Sequence, residues 1–224
     1  MKISRYIFIS SLLLLSATTF AQEAKKENSL AFKGISLSAD LYGYIGTIFN
    51  DYASGEVAIS ANLGNRFFPV IEVGYGTTDT TDETTQIHYK SSAPYYRAGL
   101  NYNFLYKKER LHDYRIYAIG RYGYTKAKYD VTTPPATDPV WGGTSSIELK
   151  DVEATCSWFE LGAGIEAKIW KNISMGWSLR YKSLIKDGKG EKSQIWYIPG
   201  YGENKSGSFG GTYSIIYNIP IGKK

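Results

Sequence analysis

The sequence predicts an all-β protein, an eight-stranded antiparallel up-and-down transmembrane β-barrel. Three observations predict it: eight segments of alternating apolar and polar residues, connections whose lengths alternate, and a secretory leader. The clearest segment runs from Ile173 to Lys182. Ile173, Met175, Trp177, Leu179 and Tyr181 alternate with Ser174, Gly176, Ser178, Arg180 and Lys182. Period two gives a strand with one apolar and one polar face. Whether that apolar face meets a protein core or lipid decides the class.

The leader comes first. Lys2 and Arg5 precede an apolar run from Ile7 to Leu15, and Thr19-Phe-Ala21 places small residues at a cleavage site. This is the pattern of a signal peptide, expected over residues 1–21. A short periplasmic segment is expected over 22–33 and the barrel over 34–222. No later run approaches the ~18 apolar residues of a membrane helix. A chain crossing a bilayer without such helices must close its backbone as a barrel.

Composition excludes several classes. Formal charge is +5, from 26 basic and 21 acidic residues. Without Lys2 and Arg5 it is 24 − 21 = +3, too mild to suggest nucleic acid. One cysteine and two histidines argue against a disulfide framework or a structural zinc site, so no metal and no cofactor is expected. With 20 tyrosines and 23 glycines and no helical periodicity, the chain suggests β-architecture.

The apolar faces of the other seven segments can be read in order. They are Ile35–Ile45, Val57–Leu63, Ile71–Tyr75, Tyr96–Phe104, Ile116–Tyr124, Phe159–Ile169 and Phe209–Ile221, each taken at every second residue. The strands that carry these faces are expected to extend beyond the quoted residues and to cover the ~9–11 residues of a tilted membrane strand. Short turns are expected at Gly64-Asn65-Arg66, between Tyr106 and Asp113, and at Lys171-Asn172. Long connections are expected at 77–93, 128–155 and 185–207. Short turns on one side and long loops on the other is the arrangement of outer-membrane barrels.

The two faces differ in size as well as polarity. An eight-stranded barrel has a bore just wide enough for its own side chains. The apolar faces are too bulky to fit inside it, whereas the polar faces are rich in Gly, Ser and Asn. The apolar face therefore looks at lipid. Tyr75, Tyr96, Tyr122, Tyr124, Tyr181 and Tyr213 are expected at the loop end of that face, with Phe67, Phe104 and Tyr114 at the turn end, as two interfacial girdles. On this assignment Leu161→Arg should block insertion, and Gly162→Ser should be mild.

On this strand pattern and loop parity, residues 34–222 resemble the small eight-stranded outer-membrane barrels, such as the OmpA membrane domain and OmpX. The texture is also similar to uncharacterised barrel families of Bacteroidota. The chain departs from the proteobacterial pattern at Ile219-Pro-Ile-Gly-Lys-Lys224, which lacks a terminal aromatic. The resemblance implies an outer-membrane location, a lipid environment and a monomer.

Inward register collects both signs of charge: Asp40, Glu56, Glu72, Glu160 and Glu166 with Arg97, Arg115, Arg121, Lys168, Arg180 and Lys182. Buried charges must be paired, so these are expected to close the lumen as a structural network. Centring the hairpin on Lys171-Asn172 sets Glu160 opposite Lys182, and a direct ion pair is expected there. Cys156 falls in lumen register as a small buried filler. The apolar stretch Ile195-Trp-Tyr-Ile-Pro-Gly-Tyr201 offers a surface contact through Trp196, Tyr197 and Tyr201, and the long loops offer a site for a protein partner. The resulting expectation is a non-enzymatic structural or surface-interaction protein. The alternatives are a narrow channel, or a lipid A-modifying enzyme using His88 with Ser91 or Ser92 and Asp79, Asp82 or Glu83. His112 carries no expectation of chemistry.

Overall fold

A computed structural model describes residues 30–41, 43, 52–108, 113–137, 142–188 and 194–221. The leader, the predicted continuation of the first strand through Tyr44 and Ile45, and His112 lie outside them. Among the described residues are twelve strands: β1 Phe32–Asp40, β2 Tyr52–Leu63, β3 Phe67–Thr81, β4 His88–Asn103, β5 Tyr114–Thr132, β6 Ala136–Thr137, β7 Thr144–Ser145, β8 Glu148–Trp170, β9 Ile173–Asp187, β10 Tyr197–Ile198, β11 Gly202–Glu203 and β12 Gly207–Pro220. Eight of them form a closed antiparallel barrel in the order β1-β12-β9-β8-β5-β4-β3-β2. Closure comes from β1 against β12, with Leu37 opposite Tyr217 and Ala39 opposite Ile215. Each of the eight strands is thus paired on both sides, which is what a bilayer requires.

Burial follows the predicted alternation. On β3, Phe68, Val70, Glu72 and Thr78 are buried, while Ile71, Val73 and Tyr75 are exposed. Leu161 and Leu179 are 57% and 61% exposed, and Val57, Ile59, Ile71, Ile116 and Ile165 are exposed with them, an extensive apolar outer surface that suits lipid. Tyr75, Tyr96, Tyr122, Tyr124 and Tyr181 stand exposed toward one end, and Phe104 and Tyr114 toward the other. Tyr213 and Phe67 are half-buried, because Tyr213 stacks on Trp177 and Phe67 meets Tyr102 edge-on.

The turn side is tight. Gly64 and Asn65 both take positive φ (63° and 57°), as the two central residues of a type I′ turn must, and the Arg66 amide donates to the Leu63 carbonyl at 3.1 Å. The Asn62 side chain accepts from the Asn65 amide and donates to the Asn65 side chain, both at 2.8 Å.

Two expectations need correction here. The long connections are largely strand: β3 and β4 continue to Thr81 and from His88, and β8 runs 23 residues. A bilayer needs only ~9–11, so these hairpins stand well beyond it. The alternation persists there, since Ala127, Tyr129 and Ala154 remain buried on the inner side. Nor is Gly162 a permissive site. A Cβ there would fall 2.3 Å from the Leu179 carbonyl oxygen, so serine would push two paired strands apart.

Candidate functional site: the closed bore

Strands β2, β3, β4, β5, β8 and β9 each send a charged side chain to one level of the bore. Glu56, Glu72 and Glu160 meet Arg97, Arg121 and Arg180, so three carboxylates balance three guanidiniums. The Glu160 side chain is fully buried. It accepts from Arg97 Nη1 at 3.1 and 3.3 Å, from Arg180 Nη1 at 3.1 Å and from the Trp158 indole at 2.7 Å. Arg97 also pairs with Glu56, and its Nε lies 3.0 Å from Glu72. Arg180 Nη1 donates to Glu72 at 3.1 Å, and Arg121 Nε to the same carboxylate at 2.9 Å. Tyr95 donates to Glu56 at 3.0 Å, and Asn101 accepts from Arg121 Nη2 at 2.8 Å. Each charge thus has opposite charges within reach and further polar partners, the condition for tolerating buried ions.

Glu72 and Arg97 face each other across β3 and β4, and Arg121 and Glu160 across β5 and β8. The bonds do not follow that pairing alone. Arg121 reaches Glu72, and Arg180 on β9 reaches Glu72 on β3, linking strands that are not neighbours. The network therefore ties opposite walls together.

An apolar layer lies above it, on the side of the long hairpins. Tyr89, Tyr95, Ala127, Tyr129, Cys156 and Trp158 pack around Ile195, Ile198 and Tyr201. The segment 195–201 enters the mouth of the barrel and seals it, with Pro199 over Gly76 and Gly200 over the Tyr95 ring. Gly200 takes φ 81°, a conformation that only glycine adopts freely. The bulkiest inward rings are made possible by glycine on the facing strand. Trp158 lies over Gly123 and Tyr95 over Gly74, and a Cβ at either glycine would sit 2.2 Å from the ring.

A second, smaller pairing lies toward the turn end. Arg115 Nη1 meets Glu166 at 2.6 Å, Tyr117 donates to Glu166 at 2.7 Å, and the Arg115 guanidinium lies 5.2 Å from the Phe68 ring centre. Between this group and the upper network is a cavity of about 110 Å³, bordered by Ser36, Ser38, Ala58, Ser60 and Ser178. Asp40, also buried, accepts from the backbone amides of Tyr213 (3.1 Å) and Gly43 (3.3 Å), where β1 leaves the wall.

Three expectations are overturned by this geometry. Lys182 does stand opposite Glu160, but its Nζ donates to the carbonyls of Gly200 and Tyr201 at 2.8 and 3.1 Å. The arginines already saturate Glu160, and the lysine reaches up to hold the plug. Lys168 is exposed and pairs with Asp113 at 3.1 Å on the rim, because it lies near the end of β8. Tyr201 is only 1% exposed and Tyr197 half-buried, since their loop folds inward; of the three proposed contact residues Trp196 alone is exposed, at 40%. Sequence reasoning left Trp158 and Tyr95 out of the bore, although each shares the parity of a charged lumen residue two positions on (Glu160 and Arg97).

Fold and bore together define an eight-stranded membrane β-barrel of the outer-membrane kind, with a lumen occupied by its own side chains. The chain belongs to the DUF6048 family, described as a domain of unknown function, which matches residues 3–224. No curated protein matches the sequence. Among solved structures, a major outer membrane protein from Thermus thermophilus is 13% identical with a TM-score of 0.52, covering 84% of this chain and 100% of that one. Neisserial surface protein A is 10% identical (TM-score 0.43; 84% and 96% covered). Ail, the attachment invasion locus protein of Yersinia pestis, is 10% identical (TM-score 0.41; 84% and 98% covered). At 13% identity the likeness to the Thermus protein concerns the fold alone.

Proposed function

We propose that this chain is a non-enzymatic outer-membrane protein whose shut barrel anchors surface-exposed hairpins that interact with a partner. The observation that carries the reading is the double closure of the bore, by the six-residue ion network and by the plug of residues 195–201. The cavity of about 110 Å³ lies below the network, on the turn side of it, which disfavours the narrow channel. The test is conductance in planar bilayers. The purified mature protein should give no steady large current; a stable ohmic pore would overturn the reading. Location is tested separately, by fractionation with outer membranes and heat-modifiable migration on gels. Recovery as a soluble periplasmic protein would defeat it.

One arrangement favours a second reading, a lipid A-modifying enzyme. His88 Nδ1 lies 3.0 Å from the Thr81 hydroxyl and Nε2 lies 3.4 Å from Asp79, the relation of a base between a hydroxyl and an orienting carboxylate. Ser91 is buried on the inner side and Ser92 lies four residues along β4, so neither serine is paired with His88. Height argues against chemistry on lipid. His88 stands eight residues beyond the girdle tyrosine Tyr96 on β4. At ~3.3 Å per residue and a ~40° tilt this is on the order of 20 Å above the interface. Both His88 and Asp79 are also about half exposed. An unchanged lipid A mass spectrum on deletion and overexpression is expected; a lost or added acyl chain would promote the enzyme.

A further inference from the structure

Above the plug, on the inner side of the β3–β4 hairpin, the protein has a recess of about 410 Å³, within the ~300–1,000 Å³ of small-molecule sites. One wall is β3 with Thr78 and the turn residue Asp82, and the other is the loop with Trp196, Glu203 and Asn204; Tyr52 stands at the rim. Two rings present flat surfaces to it. Trp196 stacks on Tyr89 (centroids 5.4 Å, 13° between planes) and keeps 40% of its surface exposed. Tyr52 stacks on Tyr197 (4.6 Å, 18°) and keeps 38%.

The recess is built rather than incidental. Asn204 fixes its floor, its amide donating to the Trp196 carbonyl at 2.8 Å and its side chain to the Ile195 carbonyl at 2.8 Å. Asp82 is held by the Thr85 amide at 2.7 Å. Thr78, only 2% exposed on the wall, has a hydroxyl without a hydrogen-bond partner among the described residues. A buried donor left unpaired is costly, so a ligand hydroxyl or amide reaching that wall gains disproportionately.

From this we infer that the recess binds a neutral oligosaccharide. Pyranose rings present faces of slightly positive C–H groups, which pack on the negative face of an indole or phenol. Their hydroxyls need acceptors such as Asp82 and Glu203 and partners such as Thr78. Lys205 also lines the recess and pairs with Glu203, so the lining carries one carboxylate, Asp82, in excess, which disfavours phosphate- or sulfate-bearing ligands. The ordered loop and pre-stacked rings lower the entropic cost of binding. Access to such a ligand rests on the reading above, in which the long hairpins face the outside. The sugar is then either a free oligosaccharide or the glycan of a surface glycolipid.

The test uses the full mature protein in detergent micelles, so that it does not depend on where the protein resides. Calorimetry and tryptophan fluorescence would follow titration with gluco-, manno- and galacto-hexaoses. Vesicles carrying lipopolysaccharide with and without its outer sugars form a second arm. Saturable binding in the first arm assigns a free oligosaccharide; binding only to sugar-bearing vesicles assigns the glycolipid. Trp196→Ala and Tyr52→Ala should each weaken binding about tenfold or more, with heat-modifiable migration retained as the check on folding. Asp82→Asn, which keeps the side-chain shape, should weaken it less. Lys90→Ala, on a residue paired with Asp79 outside the recess, should leave it unchanged. Failure of every hexaose and both vesicle types, or binding indifferent to Trp196 and Tyr52, would overturn the inference without touching the closed-bore reading.

Discussion

The charged level of the bore and the aromatic level above it are built from the same strands, often from residues two apart. Glu160 belongs to the first and Trp158 to the second; so do Arg97 and Tyr95. Both levels exclude solvent, yet they resist change differently. The aromatic level is held by contact area, so its losses scale with the volume removed. The charged level is held by a balance of desolvation and pairing, so removing one member strands its partners. Volume is forgiving and charge is not, at nearly the same depth in the protein.

The sharpest way to break that contrast is to remove one carboxylate. Glu160→Ala leaves Arg97 and Arg180 short of a partner and should cost on the order of 3–5 kcal/mol. Unfolding in urea, read by heat-modifiable gel migration, measures it; a loss below that of Trp158→Ala would reverse the ranking of the two levels. Trp158→Ala, in the aromatic level, empties a fully buried site and should cost about 3 kcal/mol. Trp158→Phe isolates the indole bond to Glu160 and should cost about 1.5 kcal/mol, the worth of a hydrogen bond to a charged group.

The neighbouring residue turns the comparison outward. Leu161→Arg puts a charge on the lipid side of the same strand and should cost roughly 2–4 kcal/mol or block insertion. If it inserts as well as wild type, the assignment of faces is wrong. Gly120→Ala is the matching control, because a Cβ there meets nothing within 4 Å.

Lys182 connects the two levels, and its removal should separate global from local stability. Lys182→Met loses two bonds to loop carbonyls but also relieves a buried ammonium, so the urea midpoint should move by no more than about 1 kcal/mol. Limited proteolysis at residues 194–206 should nonetheless accelerate. A protected loop would mean that Pro199 and Tyr201 hold the plug unaided.

The smallest effect concerns the hairpin tip, where charge is fully exposed. The Thr85 amide and hydroxyl, with the Thr84 amide, hold Asp82 below its ordinary pKa of 3.8. A folded-state pKa below the unfolded one gives a contribution that is present above the unfolded value and lost as pH falls through the folded one. Protection of the Thr84 and Thr85 amides, taken relative to their intrinsic exchange at each pH, should therefore fall only below about pH 4, with the barrel unchanged. Protection equally low at neutral pH would show that the carboxylate does not hold the turn.

Parity along each strand was legible in the sequence because it depends only on the two-residue repeat. Leucines 161 and 179 face out and Glu160 and Arg180 face in for that reason, and the Lys171-Asn172 turn set Glu160 opposite Lys182 correctly. The partners of those charges were not legible. Cross-strand register is local, whereas Arg180 with Glu72 and Arg97 with Glu160 join strands that are not neighbours. Such links depend on the curvature of the closed wall and on which long side chain reaches the centre first. The fate of residues 195–201 was hidden for a related reason. An apolar loop can be exposed or can fold into a cavity, and only the finished barrel, with glycines at 76 and 200 and Lys182 beneath, provides the space that draws it in. Sequence alone thus determined which side of the wall each residue occupies; tertiary closure decided which residues meet across the bore, because distance across a barrel is written in no single strand.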